Sequence, residues 1–458
     1  MKILFASGEI FPFAKSGGLA DVAGALPKAL SSYVDIASVM PFYGFMDDPA
    51  AELFESFTLT IVKKKYKIEI YRKKEERSDI YFIKAPHLSD TQKLYGDKTG
   101  DYKDNDLRFA LFCRGVVRLA ESLHVKILHL NDWHTALCAL YVKEQKLAVK
   151  TVFTIHNLAY QGIFHYASLH TLRIKERYFT MDGVEFYGKI NLLKAGIAYS
   201  DVVTTVSPTY AKEILTQEFG CGLEGFLKHH KAKLHGILNG IDTAVFDPKN
   251  DSYLAVGYSK SEGKQKNKTA LFKTSKLKDP KRPLFVMISR LVEQKGVDLL
   301  IESVADILKQ NLNLYIIGEG PFAKELEAIA KGYDNFEFFN GYNEKLSHKL
   351  YAAADFLLMP SRFEPCGLSQ LIAMRYGAIP IVHAVGGLKD SVHEKSKKCG
   401  QGIVFSKLSK KSILSAVKKA MELHQDSEKH QEMIRFNMDC DFSFTKSAQK
   451  YLNIYEKI

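Results

Sequence analysis

Two stretches of this 458-residue chain alternate short, wholly apolar runs with longer segments whose apolar residues recur every three or four positions, and no other feature restricts the fold as much. In the first half, residues 3–6, 127–130, 151–155 and 202–206 read as strands, while Leu19, Val22, Ala23, Leu26 and Leu30 mark a helix. Strands with no polar face lie in parallel sheets that helices cover on both sides. In the second half, residues 284–289, 312–317, 356–359 and 379–382 repeat the strand pattern, with helices expected over 297–309 and 368–376. The length exceeds what one hydrophobic core usually organises. The expectation is therefore α/β, with two doubly wound, Rossmann-like units facing a central cleft: residues 1–240, residues 241–440, and a terminal helix over 441–458 packing back on the first unit. Residues 57–85 alternate as an exposed β-ribbon does, and the lysine-rich 247–281 suits an exposed connection or a peripheral helix.

Composition removes several function classes. With 46% hydrophobic and 25% charged residues, the chain is ordinary for a soluble globular protein. Its formal charge of +12 raises nucleic acid as a partner. Lys63-Lys64-Lys65 and Arg72-Lys73-Lys74 fall in the expected ribbon, however, and no recognition motif accompanies them, so none is expected. The cysteines at 113, 138, 221, 366, 399 and 440 form no CxxC pair, which fits reduced thiols. The apolar start is too short for a signal-peptide core, and no run is long enough to span a bilayer. A cytoplasmic protein without a membrane partner is expected.

In open α/β sheets ligands bind beyond the carboxyl ends of the strands, so the turns there are the candidates. After the first strand, Lys15-Ser16-Gly17-Gly18 combines a cation with glycines that open a helix, an arrangement suited to an anion; Asp21 follows. The same pattern serves a plain strand-to-helix turn, and it is no GxGxxG fingerprint, so a dinucleotide cofactor is unsupported. Arg290 and Lys295 follow the strand at 284–289, where a guanidinium fork and an ammonium can grip a diphosphate or simply be surface charge. Glu364, Cys366, Gly367 and Leu368 follow the strand at 356–359. There the glutamate can accept sugar hydroxyls or only cap a helix, and the N–H groups can face an anion. Gly386-Gly387 repeats the pattern. Asp132, Trp133, His134, His156 and Asn157 follow strands in the first unit, while His129, His134 and His156 form no recognised metal-ligand spacing.

Taken together, the chain resembles the bacterial glycogen synthases and related starch synthases among the retaining GT-B glycosyltransferases. The resemblance runs through Lys15-Ser16-Gly17-Gly18-Leu19, Tyr95-Gly96-Asp97, Asn131-Asp132-Trp133-His134, His156-Asn157, Thr205-Val206-Ser207-Pro208, Leu238-Asn239-Gly240-Ile241-Asp242, Ser289-Arg290, Gln294-Lys295-Gly296 and residues 361–370. It implies transfer of glucose from ADP-glucose to the non-reducing end of an α-1,4-glucan, without a metal or other cofactor. As catalytic residues it implies His156, Arg290, Lys295, Glu364 and Asp132. Donor binding falls to Lys15, Gly17, Gly18, Asp21, Asn239, Arg290, Lys295, Cys366, Gly367, Leu368, Gly386 and Gly387, and acceptor binding to Glu9, Tyr95, Asn157, Trp133 and His134. Lys15, Arg290 and Lys295 together match the charge of about −3 on departing ADP. His383, Val385 and Phe246 stand where the family usually has arginine, threonine and tryptophan, which leaves backbone donors at Gly386 and Gly387 to face phosphate. The alternatives are a GT-B transferase using UDP-glucose or another acceptor, and a non-catalytic glucan-binding protein.

Overall fold

Each half of the chain closes its apolar runs into one sheet. The computed structural model describes residues 1–46, 50–98, 100–394 and 400–458; Cys399 lies outside them. The chain divides into Met1–Asn239 with Phe444–Ile458, and Gly240–Ser443.

The first unit holds β1 (Lys2–Ala6), β2 (Asp35–Pro41), β3 (Glu52–Ile61), β4 (Lys64–Lys73), β5 (Ile80–Lys84), β6 (Ile127–Asn131), β7 (Lys150–Ile155), β8 (Val202–Thr205) and β9 (Leu234–Gly236). They form one nine-stranded sheet in the order β9-β8-β7-β6-β1-β2-β5-β4-β3. Pairing is parallel from β9 to β5 and antiparallel in the β5-β4-β3 ribbon. Ile3, Leu4, Phe5 and Ala6 are fully buried, and each large side chain of this kind contributes about 1.5–3 kcal/mol by leaving water. In the ribbon Tyr66, Ile68 and Ile70 face inward while Lys64, Lys65 and Lys67 are exposed. Lysines beside a sheet edge discourage pairing with another chain.

The second unit holds β10 (Leu284–Ile288), β11 (Asn313–Gly318), β12 (Phe336–Asn340), β13 (Phe356–Met359), β14 (Ile379–His383) and β15 (Ile403–Phe405). Their order, β12-β11-β10-β13-β14-β15, is that of the Rossmann fold, and every pair is parallel. Chain direction across the sheets reverses between β1 and β6 in the first unit and between β10 and β13 in the second. At such switch points the turns diverge and leave room for a ligand.

The terminal helix, Thr445–Tyr455, belongs to the first unit and packs on helix Gly18–Leu30. The Tyr455 hydroxyl lies 2.6 Å from His129 Nδ1, and the other ring nitrogen of His129 lies 2.7 Å from Thr154 Oγ1. His129 thus fastens this helix to β6. In the lysine-rich segment the structure differs from expectation. Helix Ser261–Phe272 is not peripheral, because Lys264 and Lys268 are buried in it. The Lys264 ammonium donates to the carbonyls of Ala352 and Tyr376 at 3.0 and 3.2 Å, near the carboxyl ends of two helices, where a cation is favoured. Lys268 pairs with buried Asp355 at 2.6 Å. A charged composition signals exposure only when no carbonyl or carboxylate awaits inside.

Candidate functional site

In the first unit the site residues gather on the turns after β1, β6 and β7. Glu9 is buried. Its carboxylate accepts from the Ser16 N–H, from Ser16 Oγ at 2.8 Å and from the Tyr95 hydroxyl at 3.3 Å, with the Gly17 N–H also directed at it. Burial raises its pKa against these donors. The Lys15–Gly18 turn does present N–H groups to an anion, but at Ser16 and Gly17 that anion is Glu9. A Cβ at Gly17 would meet nothing within 4 Å, so packing within the chain does not demand glycine there. Lys15 Nζ sits 2.7 Å from Asp21 Oδ1. Both side chains are partly exposed, and such a pair contributes little and exchanges readily. Gly18 opens the helix.

Asp132 follows β6 with φ +55° and caps helix Trp133–Gln145. Its carboxylate accepts from the backbone N–H of His156 at 2.7 Å and from that of Asn157. Burial raises its pKa to about 7 despite those bonds. His156 Nε2 lies 2.8 Å from Asn131 Oδ1, and Asn131 Nδ2 donates to the Ala6 carbonyl at 2.9 Å. Those two bonds fix the amide orientation and place the imidazole proton on Nε2, leaving Nδ1 as an acceptor. Burial lowers the pKa of His156 to about 3, so the ring is neutral. The Asn157 side chain accepts from the Ala159 N–H at 3.1 Å.

Trp133 and His134, which the resemblance assigns to the acceptor, pack among other aromatic rings. Both are buried. His134 stacks on Tyr95 at 4.4 Å and also meets Phe109, and neither of its ring nitrogens has a hydrogen-bond partner among the described residues. Arg108, which sequence reasoning passed over, is fully buried and donates to the carbonyls of His87 and Leu94, Asn105 Oδ1 and Thr91 Oγ1. It ties down the segment that carries Tyr95. Its place immediately before the apolar run Phe109-Ala110-Leu111-Phe112-Cys113 was the available signal.

In the second unit the turns after β10, β13 and β14 interlock. Lys295 Nζ lies 2.5 Å from Glu364 Oε2, which also accepts from Ser361 Oγ at 3.1 Å. Glu364 is buried. The cation that the resemblance assigns to phosphate and the carboxylate it assigns to sugar therefore hold each other. Arg290 is exposed directly after β10. The N–H groups of Gly367 and Leu368 have no hydrogen-bond acceptor among the described residues. Gln370, another residue the sequence reading missed, shapes this turn by donating to the carbonyls of Cys366 and Gly367 at 3.1 and 2.9 Å.

The expectation for the Gly386-Gly387 turn is corrected in part. Gly387 donates its N–H to the Glu364 carbonyl at 3.0 Å, so that donor does not face outward. Glycine is needed there because a Cβ would come 2.1 Å from the Cys366 carbonyl oxygen. Gly386 and buried Cys366 complete this contact region. The ring of His383 is held 2.8 Å from the Ser361 carbonyl and stacks on Phe405, so the departure from arginine became a brace. Phe246 stacks on His348 at 5.0 Å. Asn239, the last residue of the first unit before the crossover, is buried, and its Oδ1 has no hydrogen-bond partner among the described residues.

These shifts give the first unit a pH-dependent stability. His129, His134 and His156 have pKa values lowered to about 3 by burial, against about 6.5 unfolded. Their stabilising contribution is present above pH 6.5 and is lost as pH falls toward 3. Asp132 and Glu9, both raised, act oppositely, since acid relieves their burial. Three imidazoles outweigh two carboxyls, so stability should fall by about 1–3 kcal/mol between pH 7 and 5. Melting curves across that range would measure it, and His134→Phe should flatten the slope by about one proton.

The two Rossmann-like units with these turns define a GT-B glycosyltransferase. The family description of the starch synthase catalytic domain matches residues 2–229, and that of glycosyl transferases group 1 matches residues 269–437. Glycogen synthase from Aquifex aeolicus is 42% identical over 100% of this chain and 99% of its own length. That from Pasteurella multocida is 40% identical over 100% and 99%. The catalytic domain of starch synthase IV from Arabidopsis thaliana, solved bound to ADP and acarbose, superposes with a TM-score of 0.91 at 33% identity, covering 100% of this chain and 98% of that one. Sucrose-phosphate synthase from Thermosynechococcus elongatus shares the fold, with a TM-score of 0.67 at 16% identity over 100% and 98%. The chain belongs to the glycogen synthase and starch synthase family. No helix among the described residues is long and apolar enough to cross a membrane.

Proposed function

We propose that this protein is a glycogen synthase, transferring glucose from ADP-glucose to the non-reducing end of an α-1,4-glucan with retention of configuration. The observation that carries the reading is the full-length likeness to a starch synthase catalytic domain solved with ADP and acarbose. Lys15, Arg290 and Lys295 all stand on turns that follow strands. Within the second unit Arg290 and Lys295 can face a departing diphosphate, and the reading invokes no metal. Donors fixed in advance are most effective where charge develops, and the N–H groups of Gly367 and Leu368 suit that task.

Neutral His156 has an acceptor nitrogen for a sugar hydroxyl and no acidic proton to give near neutral pH. The two candidate carboxylates are both engaged, Asp132 by backbone N–H groups and Glu364 by Lys295 and Ser361. Those commitments favour front-face displacement over a covalent glycosyl-enzyme. In that route the sugar–phosphate bond breaks, ADP leaves with the bonding pair, and its phosphate oxygen takes the proton of the attacking glucan hydroxyl. The glucan oxygen bonds to the same face of the anomeric carbon.

Elongation of glycogen measured with ADP-glucose and with UDP-glucose tests the donor. ADP-glucose is expected to support the higher kcat/KM, and a strong preference for UDP-glucose would overturn the assignment. Glycogen binding without transfer from either donor would overturn the enzymatic reading.

A further inference from the structure

In the second unit, at the end of the sheet opposite the donor-side turns, three side chains converge. Asp355 immediately precedes β13, His424 lies in the last turn of helix Lys410–Gln425, and His430 lies in helix Ser427–Met438. One ligand atom from each falls within 4.8 Å of the others. His430 is 4% exposed, and its Nε2 and the Nδ1 of His424 are buried with no hydrogen-bond partner among the described residues. The two rings lie 5.1 Å apart at 73°, and both pack near Phe356. Buried polar atoms almost always find a partner, so two adjacent orphaned ring nitrogens beside a carboxylate call for an occupant.

We propose that Asp355, His424 and His430 form a three-ligand site for a divalent transition-metal ion, zinc above all. Two imidazole nitrogens and one carboxylate oxygen suit zinc, which takes a tetrahedral set and can complete it with water. His424 is only half buried, which gives the ion and that water a way in.

Lys268 limits the affinity. It occupies Asp355 Oδ2, along with the Leu284 N–H at 2.7 Å, and is itself anchored to the Arg282 carbonyl at 2.8 Å. The other carboxylate oxygen remains for the ion, beside a fixed ammonium whose charge opposes it. The site would pin the junction of two helices to the start of β13, while the Pro360–Gln370 turn lies beyond the far end of that strand. Its task is therefore structural. The two histidines stand on different helices, either side of Asp426, so their spacing matched no ligand motif in the sequence.

The test is a zinc titration of the full-length protein after EDTA treatment and removal of the chelator, followed by calorimetry and thermal melting. One zinc per chain is expected, with a rise in melting temperature of roughly 5 °C at a hundredfold excess over Kd. Substituting a ligand should weaken binding by more than the roughly 100-fold that can follow loss of an outer-shell partner. His424→Gln and His430→Gln should both do so, whereas His229→Gln, at an exposed histidine elsewhere, should leave it unchanged. Should His430→Gln fail to fold, His424→Gln and the visible absorption of the cobalt-loaded wild type still decide. No zinc bound by the wild type, or equal binding by His424→Gln, overturns the site.

Discussion

Lys295→Ala is expected to lower kcat by about 100- to 1,000-fold, the cost of removing one positioned charge from a site where a leaving group turns anionic. An exposed phosphate-binding lysine would be lost without harm to the fold, but Lys295 also neutralises buried Glu364 at 2.5 Å. Its removal leaves that carboxylate facing only Ser361 Oγ. A charge-assisted bond to a largely buried group is worth about 1.5–3 kcal/mol, and a stranded buried charge costs at least as much. The variant should thus melt earlier as well as turn over slowly. The two effects separate in the double variant Lys295→Met, Glu364→Gln, which removes both charges. It should recover much of the melting temperature and none of the turnover. Recovery of turnover would show that Lys295 serves only to neutralise Glu364, and near-normal elongation by Lys295→Ala would remove it from catalysis.

The contrast between those variants also marks what the sequence can and cannot convey. Both sheets were legible because β1, β6, β10 and β13 carry too many apolar residues to be anything but buried strands. The positions of the site turns follow from that alone, since a turn after a buried parallel strand leads to the ligand end of the sheet. The partner of each side chain was not legible. Nothing in the spacing of Lys295 and Glu364 announces that they meet, because the contact depends on β10 and β13 being neighbours in space. Gly387 was correctly singled out as a position for glycine, yet for a different reason: it admits the Cys366 carbonyl. Lys264 and Lys268 misled for a related cause, since the carbonyls and carboxylate that receive them come from distant segments. Trp133 and His134 follow a strand, but nothing in their spacing shows that Tyr95 and Phe109 arrive from distant segments to pack against them.

Replacing Glu9 should reveal which substrate it serves. The family resemblance assigns it to the glucan, whereas its carboxylate grips Ser16 and so shapes the Lys15–Gly18 turn. Glu9→Ala removes the common acceptor for the Ser16 N–H, Ser16 Oγ and the Tyr95 hydroxyl. Exposed Ser16 can turn to water, so the loss of stability should be modest, about 1–3 kcal/mol. Function should suffer more, because a displacement near 1 Å in a positioning group can cost about 100-fold. If Glu9 acts through the turn, the loss appears in kcat/KM for ADP-glucose, and KM for glycogen stays within a few-fold of its original value. Glu9→Gln keeps an oxygen for the Ser16 N–H and should retain much of the activity. Tyr95→Phe removes the bond to Glu9 at 3.3 Å and the one to the Tyr43 hydroxyl but leaves Ser16 held, and should be the mildest of the three. A rise confined to the glycogen KM in Glu9→Ala would return Glu9 to the acceptor side and leave the Lys15–Gly18 turn to hold its shape without it.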